Sequence, residues 1–363
     1  VTTLTRDSED TGTLLVLGIE SSCDETAAAL VENGKTVLAS RIASQVDVHA
    51  KFGGVVPEIA SREHLRHIHP LVETVLGDCG KSVADIDAIA VTQGPGLIGA
   101  LLVGIAYAKG LASATGKPLI PVDHVHAHIH GAILDPQVQD RSIFPCLGLV
   151  VSGGHTNLYL MGSSTHFKLL GSSIDDACGE SFDKVAKLMG LGYPGGPAIE
   201  KLAALGNSSK VTLPRMVEQK SRIEFSYSGL KTFMANLLNS ESKPIAHERL
   251  ADICAAFQQE ALGQLVRKIK AASERHPEAR SILIAGGVAA NQHMRRLMAA
   301  SLPQLKAYFP APAYCSDNAA MIAAYGYHIY QTEQKEDPSS RRFLTSDWDA
   351  YSRYDYAKVL HHT

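Results

Sequence analysis

The plan of residues 14–40 recurs at residues 144–170, and this duplication limits the fold more than any other feature of the chain. Leu14 to Ile19 is a continuous apolar run that reads as a buried strand, and the polar loop Glu20-Ser-Ser-Cys-Asp-Glu25 follows it. Ala27 to Val31 and Thr36 to Ser40 then flank Asn33-Gly34, a pair whose tolerance of positive φ favours a tight hairpin. In the second copy Leu147 to Val151 is the apolar strand, and Ser152-Gly-Gly-His-Thr156 is the small polar loop. Asn157 to Met161 is the next strand, with a third expected near His166 to Leu170. Two such openings imply two related lobes facing each other. A chain of 363 residues has the length for that. The expected lobes span residues 12–133 and 134–316. A helix near 317–332 is expected to pack back on the first lobe, residues 206–244 to form an irregular basic insertion, and residues 333–363 a polar tail that folds little.

Hydrophobic residues make up 45% of the chain and charged residues 20%, as in soluble globular proteins. A net charge of −3 excludes a chain that holds nucleic acid by bulk electrostatics, so any such contact must use local patches. The six cysteines include no C-x-x-C pair, which argues against a zinc ribbon or disulfide scaffold and for a reducing compartment. No signal peptide and no run of eighteen apolar residues is visible, so a cytoplasmic protein without membrane contact is expected. A mitochondrial matrix or plastid location is the alternative if a transit peptide has been removed.

Between the two copies lies Pro121-Val-Asp-His-Val-His-Ala-His-Ile-His-Gly131, holding four of the sixteen histidines. His124 and His128 are four apart, as are His126 and His130, so each pair shares a helix face. Such a pair suits a divalent metal or a solvated polar helix end, and the stretch alone does not choose. It follows the strand Leu119 to Val122, and ligands of open α/β sheets gather at strand C-terminal ends. His64, His67 and His69, on the polar side of a helix from Pro57 to Leu76, read as surface or supporting residues. Gly94, Gly96, Gly99 and Gly104 fit close helix–sheet packing or an anion site equally well.

Ser152-Gly153-Gly154 offers unhindered N–H groups to a phosphate, and Gly286-Gly287, between a strand and a helix, offers bare backbone to an adenosine ring. Asp175 and Asp176 read as caps of an amphipathic helix reaching Gly190. Ser316 or Asp317 reads as the cap of the last helix. Lys210, Arg215, Lys220, Arg222 and Lys231, interleaved with Phe225, Tyr227 and Phe233, suit nucleic-acid contact or a solvated loop face.

Ten segments appear in order: Gly18-Ile-Glu-Ser-Ser-Cys-Asp-Glu-Thr26, Val56-Pro-Glu-Ile-Ala-Ser-Arg-Glu-His64, Gln93-Gly-Pro-Gly-Leu97, His124-x-x-x-His128, Val151-Ser-Gly-Gly-His-Thr156, Phe182-Asp-Lys, Tyr193-Pro-Gly-Gly, Phe225-Ser-Tyr-Ser-Gly-Leu-Lys-Thr232, Gly286-Gly-Val-Ala-Ala-Asn291 and Cys315-Ser-Asp-Asn318. Together they resemble the TsaD (YgjD, Gcp) family of tRNA threonylcarbamoyladenosine transferases, in its bacterial or organellar form, over about residues 14–330. The resemblance implies an α/β, two-lobed fold of the actin, heat-shock ATPase and sugar-kinase (ASKHA) superfamily. It also implies the reaction: the threonylcarbamoyl group of threonylcarbamoyl-AMP passes to N6 of the adenosine 3′ of the anticodon, in tRNAs reading ANN codons, and AMP leaves.

The resemblance further implies His124, His128 and Asp317 as ligands of one divalent metal ion, iron or zinc with magnesium as an alternative. It implies Val150, Val151, Ser152, Gly153 and Gly154 as the adenylate-phosphate loop. Asp183, Gly196 and Asn291 become ribose and adenine contacts, with Glu200 at a position where some relatives carry an acid. The implied partners are tRNA with either a TsaB-like paralogous scaffold and a TsaE-like ATPase, if bacterial, or a second copy of the chain, if mitochondrial. The donor is a mixed anhydride and already activated, whereas an aromatic N6 amine is a poor nucleophile, so proton removal and positioning matter. Asp24 and Glu25 are the acids expected beside the acceptor. A metallopeptidase would need H-E-x-x-H, but Val125 follows His124. An ATPase or kinase of the same superfamily is the competing reading.

Overall fold

The computed structural model describes residues 13–136, 138, 143–215 and 222–353. The duplicated pattern forms two five-stranded sheets. In the first, β1 (Leu15–Glu20), β2 (Glu25–Glu32) and β3 (Thr36–Ser44) run antiparallel in sequence. The β2–β3 turn has both Asn33 (φ 52°) and Gly34 (φ 65°) in the left-handed region, as that hairpin demands. Helices α1 (Val46–Ala50) and α2 (Pro57–Asp78) follow, then β4 (Ala88–Gly94), α3 (Ile98–Thr115) and β5 (Leu119–Asp123). β4 pairs parallel with β1, and β5 with β4, giving the order β3-β2-β1-β4-β5.

Helix α4 (His124–Ile133) leads to the second sheet, which repeats this arrangement. β6 (Cys146–Val151), β7 (Thr156–Met161) and β8 (Phe167–Ser172) are antiparallel. Four helices intervene: α5 (Cys178–Leu188), α6 (Gly195–Ala203), α7 (Ser228–Ser240) and α8 (His247–Arg275). Then come β9 (Ser281–Ala285), α9 (Gln292–Ser301), β10 (Lys306–Tyr308) and α10 (Ala319–Glu336). The order β10-β9-β6-β7-β8, with β9 parallel to β6 and β10 to β9, is the first sheet's connectivity again.

What brings the halves together is an exchange of helices. α4 leaves the first sheet and buries Val125, Ile129, Ala132 and Ile133 against Cys146, Val150, Tyr159 and Leu283 of the second. α10 leaves the second sheet and packs Ala319 to Tyr325 against Val16, Ala90 and Val122 of the first. Each helix is covered on several sides, which explains why α4 is buried almost throughout despite its histidines. His126 stacks on Phe167 (centroids 4.2 Å apart) and His130 on Tyr325 (4.3 Å), so both serve this junction.

Several local expectations change. The glycines after β4 serve packing: a Cβ on Gly96 would meet the Ser22 carbonyl at 2.6 Å, and one on Gly104 would meet Ser21 Oγ at 2.3 Å. Asp175 caps no turn of α5; it accepts the Tyr227 N–H (2.8 Å) at the start of α7, and Asp176 pairs with Lys184 and Lys231 (2.6 Å each). The region expected to be irregular contains α7, and Phe225 and Tyr227 are fully buried core residues. Lys210 meets Asp252 (3.3 Å) and Arg222 meets Glu224 (3.7 Å), while Lys220 lies outside the described residues. Burial removes Phe225 and Tyr227 from any nucleic-acid surface there, while Phe233 is half-buried and Arg222 remains exposed.

Residues 334–353 also fold. α10 continues to Glu336, and Phe343 is buried against the α10 face. The Trp348 carbonyl accepts from Lys109 Nζ (2.7 Å), and the Asp349 carbonyl from Gln93 Nε2 (2.9 Å). Among the described residues α3 reaches the length and hydropathy of a membrane-crossing helix, although Lys109 interrupts it. One face, with Leu101, Ile105 and Ala108, packs on the first sheet beside α2.

Candidate active site

Two loop–helix pairs, one from each lobe, converge between the sheets. From the first lobe come the β1–β2 loop and the N-terminus of α4; from the second come the β6–β7 loop and the residues just before α10. Asp123 accepts the His126 N–H (2.8 Å) and so starts α4, which fixes His124 and His128 on one face of its first turns. Asn318, not Ser316 or Asp317, caps α10 by accepting the Met321 N–H (3.0 Å). Freed from that duty, Asp317 places its carboxylate against the histidines, with Oδ1 3.2 Å from His128 Nε2 and 3.6 Å from His124 Nε2.

The three ligand-capable atoms lie within 4.8 Å of one another. The His128 ring is fully buried, yet among the described residues Nδ1 has no hydrogen-bond partner and Nε2 faces only the Asp317 carboxylate. A buried ring left in that state is costly unless something outside the chain engages it. Two imidazoles and a carboxylate are a donor set for a divalent ion of intermediate softness, with coordination positions left open. Electrostatics agree. Burial opposes charge on both His124 and Asp317, but Glu20 first and Asp317 second raise His124 to about 9, while His124 first and His128 second hold Asp317 well below the usual carboxylate range. His155, facing the His124 ring at 6.2 Å, is pushed down to about 4 by burial and by His124 and His128, and stays neutral.

One residue escaped sequence reasoning. Glu20, at the end of β1, is fully buried; its Oε2 lies 3.1 Å from His124 Nδ1 and accepts from Thr92 Oγ1 at 2.7 Å, while Oε1 accepts the Ser22 N–H. The signal for it was an acid at the end of an otherwise apolar strand. His64 is the supporting residue among the α2 histidines. Buried, it bonds Thr26 Oγ1 (2.7 Å) and the Cys23 carbonyl (3.0 Å), and so holds the β1–β2 loop from behind. His67 and His69 lie near Glu63 and Glu73 on the surface.

Asp24 and Glu25 occupy that loop at the mouth of the cleft. Burial raises the Asp24 carboxyl, and the Asp317 charge adds to it. Burial likewise raises Glu25 to about 7 against a hydrogen bond from Ser44 (2.8 Å), and its Oε2 is buried with no partner among the described residues. Cys23 is pushed well up by burial and by Asp24, so it is no nucleophile.

Across the cleft, Val150 and Val151 are buried strand residues and Ser152 begins the turn, its carbonyl accepting the Gly179 N–H at the start of α5 (3.1 Å). Gly153 and Gly154 have nothing within 4 Å of an added Cβ, and among the described residues their N–H groups find no acceptor. Open backbone of this kind can receive anionic oxygens.

The remaining candidates lie on one framework in the second lobe. Asp183 accepts the Gly195 N–H (2.7 Å) and bonds the Gly196 N–H, capping α6. Glu200 accepts the Gln292 N–H (2.7 Å), and Asn291 caps α9 by accepting from Met294 (3.1 Å) while donating to Gln258 (2.9 Å). These polar groups are already engaged in joining α5, α6, α8 and α9. Gly196 is different, with open space where a side chain would stand.

Comparison with known proteins identifies the family. The profile of the TsaD family, tRNA N6-adenosine threonylcarbamoyltransferase, matches residues 36–324. A tRNA N6-adenosine threonylcarbamoyltransferase of Pelobacter propionicus is 46% identical over 338 residues, covering 93% of this chain and 97% of that one. One of Moorella thermoacetica is 49% identical over 317 residues, covering 87% and 92%. Among solved structures, component A of the Acidaminococcus fermentans (R)-2-hydroxyglutaryl-CoA dehydratase superposes with a TM-score of 0.51 at 16% identity, covering 88% of this chain and 99% of that one. Full-length HypF, in its phosphate- and nucleotide-bound form, gives 0.57 at 14% identity, covering 88% and 47%. At such identities these two speak for the two-lobed ASKHA-like fold alone.

Proposed function

The chain belongs to the TsaD family of tRNA N6-adenosine threonylcarbamoyltransferases, and from that premise we propose that it moves the threonylcarbamoyl group of threonylcarbamoyl-AMP to N6 of the adenosine 3′ of the anticodon, in tRNAs reading ANN codons. The observation that carries this reading is the convergence of His124, His128 and Asp317 beside an open Ser152-Gly-Gly loop. In balance, the adenosine amine bonds to the carbamoyl carbon, the bond from that carbon to the phosphate oxygen breaks, AMP departs and the amine loses one proton. Gly153 and Gly154 N–H groups receive the adenylate phosphate and stabilise it as it leaves. Gly196 leaves room for the nucleoside, with Asp183, Glu200 and Asn291 holding that wall in place.

Glu25, half-protonated near neutrality, accepts the amine proton at its unbonded Oε2, and Asp24 orients the amine. A divalent ion held by His124, His128 and Asp317 would supply Lewis-acid polarisation of the donor oxygens, and the nitrogen-containing donor set suits iron or zinc better than magnesium. The bacterial sources of the relatives favour a cytoplasmic protein acting with a TsaB-like scaffold and a TsaE-like ATPase over a mitochondrial homodimer.

The test is transfer to tRNA from supplied threonylcarbamoyl-AMP. His124→Ala should lose more than about 100-fold in rate in protein that still folds cooperatively, although it melts lower because the buried Glu20 carboxylate loses its partner. Full activity in that variant would remove the metal from the reaction. Rapid ATP turnover by the wild-type chain with tRNA, in the absence of a threonylcarbamoyl-AMP source, would favour the kinase or ATPase reading.

A further inference from the structure

We propose that Glu20 is a positioning residue that fixes the ring tautomer of His124, holding the proton on Nδ1 so that Nε2 presents a lone pair toward Asp317 and His128. The inference rests on the metal reading above for its consequence, but not for its geometry. Glu20 is fully buried, and each contact of its carboxylate has a definite polarity. Oε1 faces the Ser22 N–H, a backbone donor that can never accept. Oε2 receives the Thr92 hydroxyl at 2.7 Å and faces His124 Nδ1 at 3.1 Å. A carboxylate oxygen there can only accept, so Nδ1 must carry the hydrogen. Ser22 Oγ, 3.3 Å from the same nitrogen, is a longer contact and can rotate to either role. The arrangement is the carboxylate–histidine pairing that orients imidazole ligands and raises their basicity.

The polarity of these contacts makes the nearly isosteric variant informative. In Glu20→Gln the Ser22 N–H still requires an acceptor, so the amide oxygen must take the Oε1 position. The amide nitrogen then falls where Oε2 was, against Nδ1, and offers a hydrogen to it. Nδ1 becomes an acceptor and the ring proton moves to Nε2, which can no longer ligate. One atom is exchanged and the cavity stays filled, yet the ligand nitrogen is blocked. Thr92→Val, by contrast, removes one hydroxyl from Oε2 and leaves the tautomer alone.

Two readouts test this. Long-range 1H–15N spectra of 15N-histidine-labelled, metal-free protein, taken at a pH where the His124 ring is neutral, report the tautomer directly. The expected result is a proton on Nδ1 in the wild type and in Thr92→Val, and on Nε2 in Glu20→Gln. Zinc titration of the metal-free protein against a competing chelator should then show a loss of about 10- to 100-fold in affinity for Glu20→Gln. Thr92→Val should stay within about threefold of the wild type. A wild-type ring protonated on Nε2, or an unchanged tautomer in a folded Glu20→Gln, overturns the proposal. Wild-type protein that takes up no zinc, or His124→Ala that takes it up as well as wild type, defeats the metal reading instead, and the spectra still decide the role of Glu20.

Discussion

At the scale of single residues, the cleft gathers carboxylates that the fold treats differently. Asp317 and Glu20 face His124 and are held ionised below the ordinary range, although burial works against both. Glu25 has only a serine hydroxyl, and burial raises it from an ordinary 4.5 to about 7. Between those values the folded chain retains a proton that the unfolded chain has released. The folded state therefore binds more protons, and this group makes stability fall as pH rises from about 4.5 to about 7. Glu25→Gln removes that loss. The variant should match the wild type near pH 4.5 and exceed it at pH 8 by roughly 1–2 kcal/mol, a value discounted for the group's partial exposure. Urea denaturation at both pH values measures it, and a variant less stable than the wild type at pH 8 would refute the raised carboxyl. Asp24, Glu25 and the histidine pair stand out in the chain as polar groups beside apolar strands. Glu20 gives a weaker signal, because an acid that ends an apolar strand also looks like the start of any loop until Thr92 and His124 are seen around it.

At the scale of elements, the site depends on how closely α10 lies on β1. A Cβ on Gly18, in the middle of β1, would meet the Ala319 carbonyl oxygen at 2.2 Å and the Ala323 nitrogen at 2.8 Å. Both are backbone atoms of a helix and cannot swing aside. Gly18→Ala should cost about 2–3 kcal/mol of stability and weaken zinc binding, because Asp317 lies two residues before α10 and moves with it. Gly110→Ala on the outer helix α3, with nothing within 4 Å of the added carbon, should be neutral or slightly stabilising. Paired thermal melts and zinc titrations check both, and intact zinc binding in a destabilised Gly18→Ala would separate helix packing from the site. The same scale accounts for the errors in reading residues 206–244. Phe225 and Tyr227 sit among basic residues in sequence, but just before α7 they turn into the core of the second lobe, while Lys210 and Lys231 pair with Asp252 and Asp176.

At the scale of the whole molecule, the site is two copies of one construction. Each lobe supplies the loop after its first strand and the start of the helix after its last, and the helices cross to the other lobe. The convergence of His124, His128 and Asp317 thus follows from duplication plus helix exchange. The C-terminal segment closes one side: Tyr351 OH donates to Asp123 Oδ2 (2.6 Å), the residue that starts α4, and Phe343 is anchored below it. Phe343→Ala should lower stability by about 2–4 kcal/mol, measured by chemical denaturation; an unchanged midpoint would show that the segment contributes no packing.

Strand and helix periodicities, the Asn33-Gly34 hairpin and the repeated opening are local patterns with local causes, and the amino-acid sequence by itself determined them, and with them the two-lobed class. The pairing of Asp317 with His124 and His128 could be expected from resemblance but not from spacing. The contacts of Glu20, the docking of residues 341–353 and the backbone bonds accepted by Asp175, Asp183 and Glu200 were decided by tertiary structure alone. Each depends on contacts between separate elements, and a side chain's partner there depends on which residues the packing of the two sheets and their helices brings within reach.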